Sequence, residues 1–107
     1  MPSRLDIIRK IVEQQPSDPF PRYGLAMELK KLGQRDEAES AFAELELRHP
    51  DYVAQYLMRA NNLGDLGRAA DVRAVLERGI IAAQQKHDGH ALGELQQALA
   101  ALESRDD

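Results

Sequence analysis

Four side chains near the end of the chain, His87, Asp88, His90 and Glu94, are of the types that hold a divalent metal. His90 and Glu94 are four residues apart, which puts them on one helix face, and His87 with Asp88 falls in the turn before it. Imidazole and carboxylate donors meeting there would suit Zn²⁺ or Ni²⁺. The same residues also read as a polar turn, with Asp88 capping a helix and two histidines in water. The polar turn is the reading adopted, and the metal site is its alternative. Nothing else in the chain is spaced for catalysis. Ser3, Ser17, Ser40 and Ser104 have no His and Asp at motif spacing. The glycines fall at turns and packing points rather than in a phosphate loop. There is no cysteine, hence no thiolate nucleophile, thiolate ligand or disulfide. The expectation is a protein that is not an enzyme and needs no cofactor, so any function must lie in its surfaces.

The composition narrows what those surfaces could meet. A chain of 107 residues suits one domain. Its net charge is −4 and its basic residues are dispersed, which argues against nucleic acid as a partner. Aromatic residues make up 5% and there is no Trp, poor material for stacking bases. No apolar run is long enough to span a membrane, and Arg4 and Asp6 fall where a signal peptide would be apolar. These features predict a soluble, cytoplasmic protein.

The elements that must present any surface are helical throughout. Helix one is expected from Ser3 to Gln15, opened by Ser3 and Asp6 as a capping box and closed by Pro16. Its apolar stripe is Leu5, Ile8, Ile11 and Val12, widened by Ile7. Helix two is expected from an Asp18 cap and Pro19 to Leu32, with Gly33 as a left-handed stop. Helix three is expected from an Asp36 cap to His49, with Ala38, Ala41, Phe42 and Leu45 on one face, and Pro50 ends it. Helix four is expected over Tyr52–Leu66 behind an Asp51 cap. Asn61, Asn62, Gly64 and Asp65 weaken its second half on propensity alone, so packing would have to hold it. Helix five is expected from Arg68 or Ala69 to Lys86, and Gly79 within it implies close approach of another backbone. Residues 84–89 read as a frayed end and a turn. Helix six is expected from Gly89 or His90 to Ser104, with Leu92, Leu95, Leu99 and Leu102 inward and Glu94, Gln96, Gln97 and Glu103 outward. Arg105, Asp106 and Asp107 are expected to fray.

The pattern repeats at a spacing of 34: Pro16 with Pro50, Ala26 with Ala60, Leu29 with Leu63, Gly33 with Gly67, Phe42 with Leu76. On these residues the chain resembles the tetratricopeptide repeat family. Leu25 and Ala26 stand at the family's large–small pair, Gly33 at its turn, Ala38 and Phe42 at the second-helix pair and Pro50 at the closing proline. In the second copy Tyr56, Ala60, Leu63, Gly67, Val72 and Leu76 take the matching places. Arg59 departs from the pattern, because a large apolar residue is expected there. The resemblance implies an all-α fold of antiparallel hairpins stacked as a short right-handed superhelix. It divides the single domain, 1–107, into a partial-repeat helix (1–16), repeat one (19–52), repeat two (53–86) and a C-terminal capping helix (89–104).

The same resemblance implies a scaffold for protein contact, with a groove lined by the first helix of each hairpin. That groove would carry Phe20, Tyr23, Met27 and Lys30 from helix two and Ala54, Leu57, Met58 and Asn61 from helix four. An apolar surface with one Asn and a Lys rim suits an extended or helical peptide of a protein partner. Family members that grip a peptide's terminal carboxylate do so with Lys, Asn and Arg. Tyr23, Met27 and Met58 occupy those positions here, so that clamp is not expected. Two alternatives stand beside the groove. Helix six could fold over these residues and bury them, or the chain could self-associate as a homodimer through helix one or helix six.

Overall fold

In a computed structural model, which describes residues 1–105, the chain forms six α-helices. They are α1 (Arg4–Gln14), α2 (Pro19–Lys31), α3 (Arg35–Arg48), α4 (Ala54–Asp65), α5 (Ala69–Gln85) and α6 (Gly89–Arg105). Among the described residues there is no strand. Arg105 is helical rather than frayed, and Asp106 and Asp107 lie outside the described residues.

Three helix starts are set by local chemistry. Ser3 Oγ accepts from the Asp6 N–H at 3.1 Å, and the Asp6 carboxylate accepts from the Ser3 N–H at 3.2 Å, completing the capping box. Asp18 Oδ1 accepts from the Phe20 N–H at 3.0 Å, with Pro19 at the first helical position. Asp88 Oδ1 accepts from the Ala91 N–H at 3.0 Å. The caps expected at Asp36 and Asp51 do not form. Helix α3 starts after Gln34, so Asp36 already lies inside its first turn, and α4 starts after Val53, beyond Asp51.

The turns explain the early start of α3. Residues 32–34, 66–68 and 86–88 share one geometry. Gly33 N–H donates to the Lys30 carbonyl at 3.0 Å and Gln34 N–H to the Leu29 carbonyl at 2.9 Å. Gly67 and Arg68 repeat this with Gly64 and Leu63, and His87 and Asp88 with Gln84 and Ala83. This is the Schellman closure, which needs a left-handed residue at its centre. Gly33 (φ 78°), Gly67 (φ 73°) and His87 (φ 55°) supply it. Because the residue after the glycine is tied back to the finished helix, the next helix begins at once. Residues 84 and 85 therefore still belong to α5, 86–88 form a closed turn, and Gly89 opens α6, so the segment is not a frayed end. Two substitutions should act with opposite signs. Gly33→Val costs about 1–2 kcal/mol, since a β-branched residue resists φ > 0. His87→Gly gains about 0.5 kcal/mol, because relief of the left-handed strain outweighs the added freedom of the unfolded chain. Denaturant midpoints for the two variants check both signs.

The six helices form two rows. The backbones of α2 and α4, and of α4 and α6, approach one another, while those of α1, α3 and α5 do not. Helices α2, α4 and α6 are thus the inner row and the others the outer row. One core joins Ala26, Leu29, Ala38 and Phe42 between α2 and α3. A larger one joins Tyr56, Ala60, Leu63, Val75, Leu76, Ala83 and Leu95 across α4, α5 and α6. Gly79 does admit a close neighbour, but the neighbour is the Tyr56 side chain rather than a backbone. The weak second half of α4 is held by packing: buried Asn62 donates from Nδ2 to the Arg35 carbonyl at 2.9 Å. Buried Gln55 donates from Nε2 to the carbonyls of His49 (2.8 Å) and Tyr52 (3.0 Å), fixing the α3–α4 loop.

Arg59 does not shift the phase of α4, since Ala60 and Leu63 are buried as Ala26 and Leu29 are. Its guanidinium donates to Glu39 (Nη2 to Oε1, 2.7 Å) and to Glu46 (Nη1 to Oε1, 2.6 Å), and Arg78 of α5 also donates to Glu46 at 2.7 Å. The Arg59 side chain is only 12% exposed. An ion network across α3, α4 and α5 thus occupies the place of the expected apolar residue.

The Tyr56 hydroxyl donates to the Pro50 carbonyl. Burial first, and then the Glu46 carboxylate, pushes the Tyr56 phenol up to about 12. The folded state therefore holds this proton where the unfolded chain would release it. Its contribution to stability is complete below pH 10 and is lost as pH rises toward 12. A stability–pH profile should fall over that window, and Tyr56→Phe should flatten it.

Candidate functional site

The inner faces of α2 and α4 form a shallow apolar floor. Tyr23, Met27 and Met58 are half-buried and pack on the core of Ala26, Leu29, Ala38 and Phe42. The Tyr23 and Tyr52 rings lie 5.4 Å apart, and burial raises both phenols above their usual range. Ala54 and Asn61 are exposed and Lys30 is half-buried. Leu57 turns the other way, onto the second core. Helix α6 packs on α5 and α4 and does not touch α2.

Phe20 is 67% exposed. With Tyr23 and Met27 it lines a second depression, a cleft of about 500 Å³ between α1 and α2. Ile8 and Ile11 close its far wall, and Arg4 and Lys31 edge it. Arg4 Nε lies 3.0 Å from the buried Glu28 carboxylate. The sequence reading missed Ile8, Ile11 and Tyr52 as surface-forming residues. The signal was present in α1, whose Ile7, Ile8 and Ile11 are more apolar area than one buried stripe uses. No residue of α1 is fully buried.

The metal-type side chains do not converge. The Asp88 carboxylate is taken by its cap, and His90 Nε2 pairs with Glu94 Oε1 at 3.3 Å on an exposed face. His87 sits at the centre of its turn. Among the described residues no group of three or more His, Cys, Asp or Glu could hold a metal ion. His87 and Asp88, but not His90 or Glu94, border an open polar hollow of about 900 Å³ where the loops meet, lined also by His49, Asp51 and Lys86. No helix among the described residues is long and apolar enough to cross a membrane.

Antiparallel hairpins joined by one repeated turn, with an inner row that touches and an outer row that splays, define a helical-repeat solenoid. The comparisons specify which. A tetratricopeptide repeat domain protein from Salinibacter ruber is 35% identical in its solution structure, over 83% of this chain and 90% of that one, with a TM-score of 0.79. In its crystal structure the values are 34%, 81%, 97% and 0.76. The solution structure of a Bordetella parapertussis protein superposes over 99% of this chain and 92% of its own, with a TM-score of 0.83 at 24% identity, a likeness of fold. No family model and no curated protein gave a match. The chain belongs to the tetratricopeptide repeat family.

Proposed function

We propose that the chain is a non-enzymatic scaffold that binds an extended or helical segment of a partner protein along the inner faces of α2 and α4. The observation that carries this reading is the openness of that floor: α6 stops at α4, and Phe20, Ala54 and Asn61 remain exposed beside half-buried Tyr23, Met27 and Met58. Apolar area with methionines and a lysine edge favours an adaptable apolar contact with a polar rim. Leu57 belongs to the core, so charge placed there would test folding rather than binding. The discriminating variant is Ala54→Arg with Asn61→Arg, both on exposed positions. In capture from native lysate, it should lose the proteins retained by the parent chain at least about tenfold, with an unchanged melting midpoint. Retention of the same proteins at the same level would place binding elsewhere.

A further inference from the structure

The two apolar cores do not merge. The first, Ala26, Leu29, Ala38 and Phe42, belongs to α2 and α3, and of the apolar side chains packed against it only Met58 comes from beyond α3. The second belongs to α4, α5 and α6, and no apolar side chain before Val53 packs against it. Between the halves runs a set of polar links instead. Arg59 of α4 lies 2.7 Å from Glu39 and 2.6 Å from Glu46 of α3, and Arg78 of α5 lies 2.7 Å from Glu46. Arg35 of α3 pairs with Asp65 of α4 at 3.3 Å. Asn62 of α4 reaches the Arg35 carbonyl, yet its own buried Oδ1 has no hydrogen-bond partner among the described residues. We propose that α1–α3 and α4–α6 are two bodies, and that this ionic junction is a hinge that opens while both cores stay folded.

The physics of the links favours opening here over melting of either core. Parting two apolar surfaces costs free energy in proportion to the area exposed. Parting buried ion pairs returns each charge to water, and the hydration regained offsets much of the attraction lost. The carboxylates of Glu39 and Glu46, 13% and 18% exposed, leave with α3, and the arginines stay with α4 and α5. Water entering the junction also reaches Asn62 Oδ1, an acceptor that closure leaves unpaired. Dissolved salt stabilises the parted charges and so favours the open form. Met58 has a flexible side chain that can keep its contact through a change of angle, which suits it to the pivot. The α2–α4 floor crosses this hinge, with Tyr23 and Met27 on one side and Ala54 and Asn61 on the other, so its width follows the hinge angle. That consequence rests on the floor being the binding site; the hinge itself does not.

Distances between pairs of nitroxide labels, measured by pulsed electron resonance on the full chain, test the hinge. The chain has no cysteine, so introduced cysteines take the labels without background. Ser40→Cys with Ala74→Cys spans the junction from α3 to α5, and Ala74→Cys with Gln97→Cys stays within the second half; all three positions are exposed. The spanning pair should show a main distance and a minor longer one. The longer share should grow at least about threefold between about 0.05 M and about 1 M NaCl. The pair within the half should show one distance throughout. Arg59→Met should make the longer distance dominant in the spanning pair and leave the other pair unchanged. Arg59→Met with Glu39→Met puts an apolar contact at the junction and should abolish the longer distance at both salt concentrations. It decides the question if the single variant does not fold. Three results would overturn the proposal. The first is a spanning pair with one distance that neither salt nor Arg59→Met alters. The second is a lengthening that affects both pairs alike, the mark of general loosening. The third is a double variant that keeps the longer distance and its growth with salt.

Discussion

Gly79→Ala should lower the thermal midpoint, by up to about 15 °C, even though alanine is the better helix former. On propensity alone the change should stabilise α5 by about 1 kcal/mol. A Cβ at this position, however, would lie 2.6 Å from Tyr56 Cβ, 3.0 Å from its Cγ and 3.1 Å from Leu95 Cδ2. The nearest obstacle is the root of a side chain, so no rotamer change removes it. Tyr56 is itself held between the Pro50 carbonyl and the core. Either α4 or α5 must move, and overpacking of this kind costs about 1–3 kcal/mol. For a domain of this size each kcal/mol shifts the midpoint by about 4–8 °C. A raised or unchanged midpoint would show that α4 and α5 are free to separate.

Arg59→Met should cost about 3 kcal/mol, although it installs the apolar residue that the repeat pattern expects. The substitution strands the Glu39 carboxylate, which is nearly as buried as Arg59 and has no other ion-pair partner among the described residues. Glu46 keeps Arg78. Removing one member of a buried ion pair leaves an uncompensated charge, whereas replacing both members is often neutral. Arg59→Met combined with Glu39→Met should therefore recover most of the loss. Chemical denaturation of the single and double variants measures this coupling. A single variant within about 0.5 kcal/mol of the parent would mean that water reaches the network.

These two positions also mark where sequence reasoning reached its limit. Ser3 with Asp6, Asp18 with Pro19, and Gly33 with Gly67 announced helix ends because capping and left-handed stops are local. The 34-residue spacing carried the hairpin order for the same reason. Asp36 misled because the closed turn starts α3 two residues earlier and puts Gln34 at the cap position that Asp88 fills in the corresponding turn, and Asp51 misled because α4 starts only after Val53. His87 escaped notice as a turn centre since its side chain does not prescribe φ > 0. Arg59 looked like a defect because its partners lie 13 and 20 residues upstream. Of the candidate surface, Tyr23, Met27 and Met58 do gather on one core, Leu57 turns to another, and Phe20 also faces α1. Which way an apolar residue turns depends on the neighbouring helix, and the period alone does not encode it.

Every interhelical contact joins helices one or two places apart in the sequence. No strand of distant chain has to be threaded home, so closing each contact sacrifices little chain entropy and assembly can begin at any hairpin and spread outward. The same adjacency makes the molecule modular in inheritance as well as in shape: a gene duplication that inserted one more hairpin between α3 and α4 would disturb a single seam and leave the remainder untouched.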